Sequence, residues 1–147
     1  MHPDSGTSQS ELSIAVHPEN PDLVLAGSNA ASLDIEVGSQ GWYLTTDGGA
    51  TWGGGDTLPT HVDLLRYMTD PAVAIDLDGN LFFCAIEFAD DADLFIARST
   101  DLGATWSKAI VPNATIAEDK SHLAVDVSAA LHPRRARPII DANVPAA

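Results

Sequence analysis

Apolar residues in this 147-residue chain fall in short runs separated by Pro, Gly, Asn and Asp, which is the punctuation of strands and turns. Residues 12–16 read as a strand, 18–21 as a turn and 23–27 as a second strand. A polar stretch, 28–40, leads to a third strand at 41–44, then a turn, Gly53-Gly54-Gly55 and a long connection to Thr69. The order then repeats. Strands are expected at 72–75, 81–88, 94–98 and 107–111, with an Asp-Gly turn at 77–80. Aligned this way, His17, Asp76 and Asp126 are equivalent, 59 and 50 residues apart. A four-stranded unit of about 50 residues has the size of a propeller blade.

One pattern punctuates both units. Thr45-Thr46-Asp47-Gly48-Gly49-Ala50-Thr51-Trp52 and Ser99-Thr100-Asp101-Leu102-Gly103-Ala104-Thr105-Trp106 share Ser/Thr, Asp, Gly, Thr and Trp at matching places, with the Asp residues 54 positions apart. Each copy follows a strand-like run, so each belongs in a hairpin turn. Asp accepts hydrogen bonds from nearby backbone N–H groups, and Gly49 and Gly103 share a slot suited to a positive φ. The Thr hydroxyl reaches back to the Asp, and the Trp lays an apolar face on the sheet. Thr45, Asp47, Gly49, Thr51, Trp52, Ser99, Asp101, Gly103, Thr105 and Trp106 are thus read as structural staples, with both tryptophans expected to be buried.

The repeated pattern is that of the Asp-box, or BNR repeat, and the chain resembles the sialidase-like β-propellers that carry it. Residues 13–21, 70–76 and 119–126 look like successive first strands of that family, over residues 11–128. The resemblance implies an all-β partial propeller: two four-stranded antiparallel blades (12–58 and 70–112) and the first strand of a third (119–128). It further implies a fragment of a secreted protein often labelled exo-α-sialidase or glycosyl hydrolase, acting on a glycan or glycoprotein in full-length form. A non-catalytic Asp-box module that binds carbohydrate or protein is the alternative. Residues 1–11 read as a lead-in. Residues 129–147, with His132-Pro133-Arg134-Arg135-Ala136-Arg137-Pro138, read as an atypical tail, either flexible or out of the family's register.

Charge changes the list of partners. Twenty-one acidic residues against 7 basic ones give a net charge of −14, which repels phosphate backbones and anionic lipid. No run approaches the ~20 apolar residues of a membrane span. The start, Met1 to Gly6, has neither the basic residues nor the apolar run of a signal peptide. The single cysteine, Cys84, reads as a small buried hydrophobe.

Candidate chemistry belongs on the face opposite the boxes, among Asp34, Glu36, Asp56, His61, Asp63, Arg66, Tyr67, Asp70, Asp90, Asp91, Asp93, Glu118, Asp119 and Lys120. The resemblance implies an arginine triad, a Tyr–Glu nucleophilic pair and an Asp acid/base. Only Arg66 stands on that face ahead of the tail, so neither triad nor pair is found and the chain reads as inactive alone. Asp70, Arg66 and Tyr67 are the catalytic candidates, and Asp70 could equally cap the strand it begins. Asp76-Leu77-Asp78-Gly79-Asn80 echoes a calcium loop but has Leu81 where an EF-hand needs Gly. No cofactor or metal is expected beyond weak calcium binding at Asp90, Asp91 and Asp93, for which a solvated loop is the competing reading. Two blades cannot close a ring, so Phe82, Phe83, Ile86 and Phe95 are expected to lack cover and to drive self-association.

Overall fold

The computed structural model describes residues 8–32, 37–59, 67–88, 92–111, 120–127 and 138–140. Four strands in chain order, β1 (Ser8–Val16), β2 (Val24–Ser32), β3 (Val37–Thr45) and β4 (Gly53–Gly55), make one antiparallel sheet. β5 (Tyr67–Ile75), β6 (Leu81–Phe88), β7 (Ala92–Ser99) and β8 (Ser107–Val111) repeat it. β9 (Leu123–Val125) begins a third unit and pairs with β10 (Pro138–Ile140). The chain is an open, partial β-propeller. Among the described residues there is no helix, and so none long and apolar enough to cross a membrane.

One core lies between the two sheets. Leu25 and Leu44 from the first meet Val73, Ile75, Leu81, Phe83 and Phe95 from the second. The far side of the second sheet has its own cluster, in which Val111 and Leu123 pack against Ala72, Cys84, Ile86 and Leu94. β6 is therefore covered on both faces, which is why it reads as an apolar run interrupted only at Glu87. The expected bare face is not there: Phe82, Phe83, Ile86 and Phe95 are all buried. Phe83 and Phe95 belong to the inter-sheet core, and β9 contributes to the cover on the other side.

The strands are longer than their apolar runs. Residues 8–10, placed in the lead-in by sequence, pair with Asn29, Ala30 and Ala31, and most of the stretch 28–40 belongs to β2 and β3. β5 begins at Tyr67 rather than at residue 72. The side chains that hid these extensions are polar yet buried: Ser28, Asn29 and Gln40 all are, and Gln40 Nε2 donates to Asn29 Oδ1 at 2.9 Å. Within the tail, the Pro138-led β10 pairs only with β9, as expected of an edge position.

Both first strands carry a bulge at the same place. The register shifts between Ser10 and Ser13 in β1, and between Thr69 and Ala72 in β5. Glu11 (φ 52°) and Asp70 (φ 57°) occupy the left-handed region there, and Lys120 (φ 70°) does so just ahead of β9. These three residues repeat the 59- and 50-residue spacing of His17, Asp76 and Asp126.

Candidate functional site

The boxes form as side-chain-to-backbone staples. Thr51 N and Oγ1 donate to Asp47 Oδ1 and Oδ2 at 2.8 and 2.5 Å, and Thr45 Oγ1 donates to Asp47 Oδ1 at 2.7 Å. Thr45 Oγ1 in turn accepts the Gly49 N–H at 2.9 Å. The second copy reproduces the set: Thr105 to Asp101 at 2.8 and 2.5 Å, Ser99 to Asp101 at 2.8 Å, Gly103 N to Ser99 Oγ at 2.8 Å. The Thr51 hydroxyl, then its N–H, then Thr45 hold the Asp47 carboxyl down at about 2, and the equivalent bonds lower Asp101. Gly49 and Gly103 have φ of 93° and 86°, as their slot demands.

Both boxes lie on one side. The first bonds through Gly48 N to Asp22 O in the β1–β2 turn, and Leu23 of that turn approaches Gly79 of the β5–β6 turn. In those turns His17 Nδ1 and Asp76 Oδ1 play the same part. His17 accepts the N–H groups of Glu19 and Asn20 at 3.1 and 3.0 Å, and Asp76 those of Asp78 and Asn80 at 3.0 and 2.8 Å. The two box tryptophans are half-buried rather than buried. Trp106 packs on the inter-sheet core and meets Trp42 of β3 edge-on, with ring centroids 5.4 Å apart. Trp42, which sequence reasoning missed, also roofs Gly103, so the second box is seated on the first sheet.

The densest polar constellation is at the paired bulges. Glu11 Oε2 accepts from Asn29 Nδ2 at 2.8 Å, and the Thr69 hydroxyl lies 3.3 Å from Glu11 and 3.1 Å from Asp70 Oδ1. The Lys120 N–H donates to Asp70 Oδ2 at 3.2 Å, and the Ser121 hydroxyl donates to the Asp70 carbonyl. A hydrogen bond shared with Glu11, supported by Thr69 and the Lys120 N–H, holds the Asp70 carboxyl below the usual range although burial opposes it. Ser13 Oγ ties β1 to β5 by accepting the Val73 N–H at 3.1 Å. The first strands of all three units are thus laced together here.

The structure separates the sequence candidates. Asp70 and Lys120 come together, joined by Glu11, Asn29, Gln40 and Thr69, which were not anticipated; the repeat spacing was the signal that could have found Glu11. Tyr67 opens β5, while Arg66, Asp34, Glu36, His61, Asp63, Asp90, Asp91, Glu118 and Asp119 lie outside the described residues. Asp93 sits in β7 opposite Glu87, whose carboxylate pairs with Lys108 at 2.7 Å. Asp56 accepts the Tyr43 hydroxyl at 2.6 Å, on β3, two strands out from β1. Burial, then Asp56, push the Tyr43 phenol up to about 12, so it stays protonated there. Cys84 is free and buried; burial raises its thiol to about 12.

No protein-family model matches the chain, and no curated protein matches it.

Proposed function

We propose that this chain is part of a secreted, sialidase-like Asp-box propeller that engages glycans on the face opposite its boxes, and that the described residues supply scaffold rather than bond cleavage. The observation that carries this is the serial use of one unit: two sheets, the same staple at the same turn, and first strands laced side by side. A general acid for glycoside hydrolysis needs a raised pKa, and Asp70 has a lowered one with its oxygens already engaged. That observation favours the non-catalytic carbohydrate-binding module over a cleaving fragment as far as Asp70 is concerned.

The test is twofold. A fluorogenic sialoside and neutral aryl glycosides should show no turnover with the folded chain; turnover abolished by Asp70→Asn would overturn the scaffold assignment. On a glycan array the chain should be retained by at least one glycan class. A folded chain that binds none would overturn the glycan reading.

A further inference from the structure

The two sheets are one unit used twice, so each face of one has a counterpart on the other. Ile14 and Val16 stand where Val73 and Ile75 stand in the second sheet. Val73 and Ile75 are 7% and 3% exposed because they press on the first sheet, whereas Leu12, Ile14 and Val16 are 76%, 68% and 52% exposed. The exposed stripe is the counterpart of the face by which the second sheet mates with the first. Its natural cover is a surface like the one that the first sheet offers to the second.

That surface is built around Leu25, Leu44 and Trp42, with Leu25 and Leu44 paired across the ladder. With the boxes aligned, the second sheet carries Phe82, Arg98 and Ile96 at these positions, and Phe82 and Arg98 are likewise paired. Phe82, Ile96 and Arg98 line a cavity of about 330 Å³ with Ser107, Lys108 and Ala109. The corresponding place on the first sheet is filled by Gly103 and Trp106 of the second box. The Arg98 guanidinium lies 5.8 Å from the Phe82 ring centroid, a cationic lip in a chain of net charge −14. The two joined turns that would approach it carry Asp22 and Asp47.

We propose that a second copy of this chain docks head to tail. Its β1 stripe covers the face bearing Phe82, Ile96 and Arg98, and its first box, with Gly49 and Trp52, enters the cavity. The incoming nine-residue β1 takes the place beside β5 that the three-residue β9 holds within one chain. The contact is heterologous, so it propagates until it closes, and propellers of 4–8 blades correspond to about two to four copies.

Sedimentation velocity over a wide concentration range tests this, independently of any glycan. Wild-type chain should assemble to a closed species of about two to four copies. Ile14→Glu, at an exposed position, and Ile96→Glu, on the cavity wall, should each weaken association roughly 30-fold or more while leaving circular dichroism unchanged. An equimolar mixture of the two variants should give a one-to-one dimer and nothing larger, because each keeps one intact face. A wild-type chain that stays monomeric, assembly insensitive to either substitution, or a mixture that forms no heterodimer would overturn the proposal. Deleting residues 120–147 should tighten assembly if β9 competes for the same place; weaker assembly of a folded truncated chain would count against it.

Discussion

Alanine at the two box glycines should cost different amounts, and the difference reports on how the sheets are joined. Gly49 and Gly103 fill the same slot at φ of 93° and 86°, so either substitution carries the left-handed penalty of about 1–2 kcal/mol. Space differs. A Cβ at Gly49 meets nothing nearer than Trp52 Nε1 at 3.7 Å, an ordinary contact. At Gly103 it would lie 2.3 and 2.5 Å from Cζ3 and Cη2 of Trp42, a ring held edge-on by Trp106. Overpacking of that kind adds about 1–3 kcal/mol. Gly49→Ala should therefore cost about 1–2 kcal/mol and Gly103→Ala about 2–5 kcal/mol in urea titrations with matching m-values. Combined with Trp42→Ala, the Gly103→Ala cost should shrink, because the clash partner is gone. Equal costs at the two glycines, or strict additivity with Trp42→Ala, would refute the seating of the second box on the first sheet.

Other outcomes follow from the same contacts. Trp106→Ala should cost about 2–3 kcal/mol, less than a fully buried ring, and Trp52→Ala about 1 kcal/mol or less; thermal melts that rank them the other way would contradict the packing. Asp47 has its pKa depressed from 3.8 to about 2, so its contribution is present above the ordinary value and is lost as pH falls through that window. The melting temperature should drop there, and the drop should be smaller in Asp47→Asn; an unchanged pH profile would remove the staple's electrostatic role. Ser13→Ala should cost about 1–3 kcal/mol by leaving the Val73 N–H without its partner, and no change in stability would show that the first strands are not tied there.

Local chemistry was legible in the sequence and lateral chemistry was not. The boxes were readable because every bond in them joins residues within four positions, so Asp47 and Thr51 announce the turn by themselves. The turn acceptors were readable as a spacing, although His17 performs with one ring nitrogen what Asp76 performs with one carboxylate oxygen, its other oxygen taking the Asn80 side-chain amide. Residues 28–32 and 37–40 were misplaced because small and polar residues dominate them and give little apolar signal, although Gln40 and Asn29 are buried there and bonded to each other across the ladder. Glu11 and Asp70 were not joined because the contact depends on two bulges 59 residues apart. Trp42 was missed as a seat for the box because the equivalent position in the second sheet is Ile96, so repetition pointed away from it. The bare face was assigned to the second sheet; the exposure is at the other edge, on β1, since β9 and Val111 help to cover the former.

The central claim is that two equivalent sheets are stacked in series, with the box of the second seated on the first. Two-dimensional nuclear Overhauser spectroscopy of the folded chain tests it most directly. Strong cross-peaks are expected from the Trp42 ring protons at Cζ3 and Cη2 to the Gly103 α-protons, and from the Trp42 ring to the Trp106 ring. Cross-peaks confined within each sheet, with both boxes formed but none linking Trp42 to Gly103 or Trp106, would contradict it.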